Sequence, residues 1–128
     1  MRARAVLRWL LAMFLIAAGL NHFLNPAPYL GMMPAVLPAP LALVYVSGVA
    51  EILCGAGLLV ARTQRLAAWS TIALLLAVFP ANINMAINDL PLGTTAVPAW
   101  VLWARLPLQG VLIAWAYWYT RPSPARAR

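Results

Sequence analysis

The chain has 128 residues, of which 65% are hydrophobic and only 9% are charged. Soluble domains run at roughly 45–50% apolar and about 25% charged, and a soluble monomer of this length could not cover itself with the polar groups available here. Two acids, Glu51 and Asp89, face nine arginines and no lysine, for a net charge of +7. Together with a single cysteine, Cys54, these figures exclude a disordered chain, a disulfide scaffold and an ordinary cytosolic enzyme.

A membrane-spanning helix needs about 20 predominantly apolar residues, at a rise of about 1.5 Å each. The first such segment covers about residues 5–24. It starts with Arg2, Arg4 and Arg8, exceeds a signal-peptide core of about 7–15 residues and is followed by no small-residue cleavage site, so a retained helix is expected. Residues 25–40 contain Pro26, Pro28, Pro34, Pro38 and Pro40, which predicts a loop without regular helix. Its apolar side chains (Tyr29, Leu30, Met32, Met33, Val36, Leu37) suit a lid or an interfacial segment. The second segment covers about residues 41–61, and a polar turn from Arg62 to Arg65 makes it a tight hairpin with the third, about residues 65–88. A connection carrying Asp89, Pro91 and Gly93 leads to the fourth, about residues 98–120, and a basic tail follows. Nothing alternates like a strand and nothing repeats. The expectation is one domain, residues 1–128: an all-α, integral membrane four-helix bundle.

Cytoplasmic flanks are enriched in arginine and lysine. Four crossings put Arg2, Arg4, Arg8, Arg62, Arg65, Arg121, Arg126 and Arg128 on one side, which predicts both termini in the cytoplasm. Trp9, Trp69, Trp115 and Trp118 then fall near the inner interface, and Trp100 and Trp103 near the outer one. Arginines divided among three helix flanks set topology and meet anionic lipid headgroups; they do not form a nucleic-acid patch. The expected surroundings are a lipid bilayer, with no nucleic acid.

Two charges are left at membrane depth. Glu51 sits about 15 Å deep and Arg105 about 10 Å deep, at the helical rise. Each costs on the order of 2.5–3.5 kcal/mol on insertion scales, so such groups face the bundle interior and pair. A Glu51–Arg105 ion pair or a shared polar network is expected. Asn21 and His22 lie near the outer end of the first segment, and Asn82, Asn84 and Asn88 in the outer half of the third, after Pro80. Gln109 is one turn from Arg105. Ser47, Glu51 and Gly55 share a face of the second segment, with Gly48 beside them. The candidate ligand pocket is therefore His22, Asn21, Glu51, Asn82, Asn84, Arg105 and Gln109, in the outer half of the bundle. Pro80 is expected to kink its helix and free backbone carbonyls for this pocket. The plainer reading of the asparagines, of His22 and of Gly48, Gly55 and Gly57 is helix packing.

One cysteine cannot form a redox CxxC pair and one histidine cannot ligate a haem twice. Nothing matches a phosphate loop, a dinucleotide fingerprint or a metal-ligand spacing. No serine has an evident base. The sequence offers no catalytic residue, no metal site and no intrinsic cofactor, and so leans away from an independent enzyme.

In their order and spacing, Gly19-Leu20-Asn21-His22-Phe23, Tyr29 with Met33-Pro34, Leu37-Pro38-Ala39-Pro40, Ser47-Gly48-Val49-Ala50-Glu51-Ile52-Leu53, Phe79-Pro80-Ala81-Asn82-Ile83, Arg105-Leu106-Pro107-Leu108-Gln109 and Trp115-Ala116-Tyr117-Trp118-Tyr119 resemble the DoxX/DoxD-like family of small four-helix membrane proteins, over about residues 12–121. The resemblance places His22, Glu51, Asn82, Arg105 and Gln109 at that family's characteristic positions. It implies a bacterial cytoplasmic (inner) membrane protein of multi-pass topology. Archaeal relatives are subunits of a thiosulfate:quinone oxidoreductase, mycobacterial ones are linked to a membrane redox-defence complex, and animal ones act in receptor assembly and cargo export. The expected function is a redox-accessory subunit that binds a quinone or similar small ligand beside a membrane redox partner or as a homo-oligomer. A small proton-coupled transporter and a noncatalytic assembly or interaction factor are the alternatives.

Overall fold

In the computed structural model, residues 2–33, 36–88 and 98–121 are described. They form α1 (Arg2–Leu24), α2 (Ala27–Met32), α3 (Pro40–Leu59), α4 (Gln64–Ile87) and α5 (Ala99–Trp118). Asp89, the connection with Pro91 and Gly93, and the tail with Arg126 and Arg128 lie outside the described residues. The four long helices fall close to the expected segments. Each is long and apolar enough to cross a membrane, with mean hydropathy between 1.3 and 1.9, the layout of a multi-pass membrane protein.

The loop expected over residues 25–40 is corrected by α2, a helix of six residues that begins just after Pro26 and has a proline in its first turn. The first four N–H groups of a helix have no partner within it, so proline costs nothing there. Proline blocks a helix interior and tolerates a helix start. The same rule seats Pro40 at the beginning of α3, after Ala39 in the left-handed region at φ 47°.

The start of α1, the end of α5 and the α3–α4 turn share one end of the bundle, called here the terminal end; α2 marks the other. Large apolar residues on every long helix face outward, among them Leu10, Leu24, Leu53, Leu66, Leu76 and Trp100. Water would penalise such a surface and lipid would not. The buried core is in two parts. Leu11, Ala12, Leu15, Cys54, Leu58, Ala67, Ala68, Ala116 and Tyr119 fill the terminal half. Ala81, Met85, Ala86 and Leu102, with Tyr29 and Leu106 against them, fill the α2 end.

Around the bundle α1 packs on α3, α3 on α4 and α4 on α5, and α1 with α5 is not among the closely packed pairs. The α1–α3 seam is the tightest. A Cβ added to Gly19 would come within 2.6 Å of the Gly48 carbonyl oxygen, and one added to Gly55 within 2.7 Å of the Ala12 carbonyl oxygen. Gly48 itself lies against the Cβ of His22, at 2.8 Å from an added Cβ. Glycine is what lets the two backbones approach this closely, as the packing reading of Gly48 and Gly55 expected. Gly57 does the same toward α4, where an added Cβ would meet that of Ala67 at 2.8 Å.

The terminal end is clasped by arginines. Arg4 donates to the carbonyl oxygens of Trp118 (3.1 Å) and Arg121 (2.8 Å), and Tyr119 donates its hydroxyl to the Arg4 carbonyl at 2.9 Å. A guanidinium there satisfies the Trp118 carbonyl that α5 leaves unpaired and one just beyond the helix, and it opposes the negative end of the α5 dipole. Arg8 donates to Gln64 Oε1 at 2.6 Å, joining α1 to α4. Reading Arg4 and Arg8 as topology signals alone is thus incomplete, because both also hold helix ends together.

Candidate functional site

A cavity of about 260 Å³ lies at mid-depth between the two parts of the core. Every described helix contributes to it: Ala18 and His22 from α1, Tyr29 and Met33 from α2 and its end, Ser47 and Glu51 from α3, Asn82 from α4, and Arg105 and Gln109 from α5. Five of the seven expected pocket residues, His22, Glu51, Asn82, Arg105 and Gln109, therefore meet on one cavity. Asn21 and Asn84 do not line it. Asn21 is exposed and donates to the Tyr29 hydroxyl at 2.7 Å. Asn84 accepts a hydrogen bond from Asn88 at 2.8 Å. In each case the helical turn points the neighbouring residue, and not this one, at the bundle axis.

Close approach of α1 and α3 at Gly48 sets His22 beside Glu51, with Nδ1 3.1 Å from Oε2. The same Nδ1 is 2.7 Å from the Ala18 carbonyl oxygen. That oxygen can only accept, so Nδ1 carries the proton and donates it there. Glu51 Oε2 is left as a buried oxygen without a hydrogen-bond partner, in charge contact with the ring whenever the imidazole is doubly protonated. The expected Glu51–Arg105 ion pair is not formed: among the described residues His22–Glu51 is the one pair within salt-bridge distance. The glycine seam brings His22 to the acid from the adjoining helix, whereas Arg105 reaches across to α4 and donates to Met85 Sδ at 3.0 Å. A thioether is a weak acceptor, so most of the guanidinium's five donors are uncommitted to protein among the described residues.

Gln109, 3% exposed, orders the α4–α5 wall. Its Nε2 donates to the Leu75 carbonyl and its Oε1 accepts from Asn82 Nδ2. The carbonyl can only accept, which fixes the orientation of both amides in turn. Asn82 Oδ1 ends the chain, buried and without a partner. Leu75 lies in the turn preceding Pro80, which has no N–H to give and whose ring crowds the carbonyls behind it. The carbonyl that Pro80 leaves without its helical N–H is that of Leu76, one residue on, so the Leu75 bond is a second bond to a helix carbonyl and not one that Pro80 frees.

α2 covers one end of the cavity. The Tyr29 ring stacks on His22 with centroids 3.9 Å apart and planes 17° apart, and the Asn21 bond holds its hydroxyl. This is a lid arrangement built on Tyr29. Sequence reasoning did not assign the apolar walls, Phe14, Val44, Leu75, Val78, Leu108 and Leu112. The four-residue spacing of Phe14, Ala18 and His22 along α1 was the available signal. Met85 as the partner of Arg105 had none.

The cavity thus offers a carboxylate, a guanidinium and ordered amides in an otherwise apolar enclosure. Fold and site define a small bundle of membrane-spanning dimensions with a mainly apolar cavity at its centre that holds a few polar side chains. The chain belongs to the family described as Domain of unknown function (DUF8561), whose model matches residues 11–120. No curated protein and no solved structure matches it.

Proposed function

We propose that the protein is a DoxX-like subunit of the bacterial inner membrane, with both termini cytoplasmic, that binds the head of a quinone beside a membrane redox partner. The observation that carries this reading is the convergence of Glu51, His22, Arg105, Asn82 and Gln109, from all four long helices, on one cavity. Burying such groups in a membrane-length bundle is expensive, and they are normally kept for function. The donors and acceptors fit a quinone head. Arg105 can donate to a quinone carbonyl, and the carboxylate of Glu51, which lines the cavity, can accept from a hydroxyl of the reduced form. A quinone would supply two-electron chemistry that the partner drives. The residues of this chain bind and orient the head, and Glu51 is the group placed to exchange a proton with it.

Native mass spectrometry of the protein held in a nanodisc with the lipids of its source membrane tests the reading. The expected spectrum shows a bound quinone that is lost in Arg105→Gln and in Glu51→Gln. A ligand-free spectrum with a co-purifying membrane protein would favour an assembly factor instead. Uptake into liposomes that depends on Glu51 would favour a transporter. For orientation, a phosphatase fused to the C-terminus is expected to be inactive and a fluorescent protein there to be bright.

A further inference from the structure

The cavity has walls of unequal tightness. The α1–α3 seam leaves no room for a single Cβ at Gly19, Gly48 or Gly55. α3 and α4 are a closely packed pair, with Val44, Leu75 and Ala81 buried beside the cavity, and the α4–α5 seam is closed by the bonds among Asn82, Gln109 and Leu75. The terminal half is filled by core side chains and clasped by Arg4, Arg8 and Tyr119. At the other end, Tyr29 lies on His22. The α1–α5 seam joins Leu11 and Leu15 to Leu112 and Ala116 in the terminal half, but the two helices are not among the closely packed pairs. Phe14 on α1 and Leu108 on α5 both line the cavity and are 51% and 55% exposed on the outer surface. They connect the interior with the surroundings, through a wall that Ala18 and Leu112 complete without a charged group.

We infer that the cavity opens sideways between α1 and α5, and that its ligand is an amphipathic lipid whose ring head lies at Glu51 and Arg105 while its apolar tail leaves past Phe14 and Leu108. Size requires the tail to leave. A cavity of about 150 Å³ holds one benzene ring, and drug-sized ligands need roughly 300–1,000 Å³. The volume of about 260 Å³ here holds one substituted ring and no long chain. Chemistry agrees, because an opening flanked by phenyl and isobutyl groups at membrane depth passes hydrocarbon and opposes hydrated solutes. This inference rests on the reading of the cavity as a quinone site for its head, while the lateral opening itself does not depend on which head is bound.

Two measurements on the full chain in nanodiscs separate the opening from the ligand. The first uses a phosphatidylcholine with a photoreactive group in its acyl chain and no quinone. Label is expected on the cavity-lining residues Leu75 and Leu112 as well as on outward residues such as Leu10 and Leu53. Label confined to the outward residues would overturn the opening. The second compares binding of decylubiquinone with that of its tail-less benzoquinone head. Leu108→Trp is expected to weaken the tailed probe by about tenfold or more and the head less than that, since added bulk in the opening obstructs the chain that must pass it. Phe14→Ala, which widens the passage, should not weaken the tailed probe. Equal effects of Leu108→Trp on both probes would overturn the tail's route. Acyl label inside the cavity with neither quinone bound would keep the opening and reject the quinone.

Discussion

Gly19→Ala is expected to destabilise the protein even though alanine favours a helix over glycine by about 1 kcal/mol. The new Cβ would stand 2.6 Å from the Gly48 carbonyl oxygen and 2.7 Å from Ile52 Cγ1. Backbone cannot yield as a flexible side chain does, so α1 and α3 must separate. Overpacking costs typically 1–3 kcal/mol, and a clash at 2.6 Å with backbone belongs in the upper part of that range, so it outweighs the propensity gain and leaves a net loss of about 1–2 kcal/mol. Gly110→Ala is the internal control: nothing lies within 4 Å of its added Cβ, and the propensity term acts alone, with a gain of up to about 1 kcal/mol. Reversible unfolding of the two variants in the same micelle, followed by circular dichroism, measures both. Opposite signs are expected. A Gly19→Ala variant as stable as Gly110→Ala would refute the close approach of α1 and α3, and with it the reason His22 reaches Glu51.

Other consequences follow from the same contacts. Gln109→Leu strands Asn82 Nδ2 and removes the bond to the Leu75 carbonyl, and an unsatisfied buried group costs about 1–3 kcal/mol. Adding Asn82→Leu should recover part of the loss, measured as coupling in a thermal-unfolding cycle. Glu51→Gln and His22→Gln should couple by at least about 0.5 kcal/mol in such a cycle, whereas Glu51→Gln and Arg105→Gln should add independently within about 0.5 kcal/mol. Arg4→Ala should destabilise by about 1 kcal/mol through the carbonyls at the end of α5 and its dipole, and Arg4→Lys should restore only part of this because lysine lacks the planar fork.

The long helices were legible because a membrane requires about 20 apolar residues in a row, and that demand overrides local detail. α2 was not legible, because Pro26 and Pro28 read as breakers until their place at a helix start was known. Five of the seven site residues could be named from depth alone, since polar groups in an apolar segment turn inward. Their partners could not. Whether Glu51 meets Arg105 or His22 depends on how closely α1 and α3 approach, and that is decided by Gly19, Gly48, Gly55 and Ala12 acting across two helices. Asn21 and Asn84 show the opposite limit: each has the right depth, and the turn of the helix carries it off the cavity. Among eight arginines that fit a topology rule, nothing in the sequence marked Arg4 and Arg8 as clasping residues.

The central claim is that the cavity between Glu51 and Arg105 receives the head of a quinone. Solid-state NMR in bilayers tests it most directly, by recoupling the methoxy carbons of ¹³C-labelled decylubiquinone with ¹⁵N at the Arg105 guanidinium. The expected result is contact between the two nuclei, lost on Arg105→Gln. Quinone present in the bilayer, with a folded protein and no contact at Arg105, would contradict it.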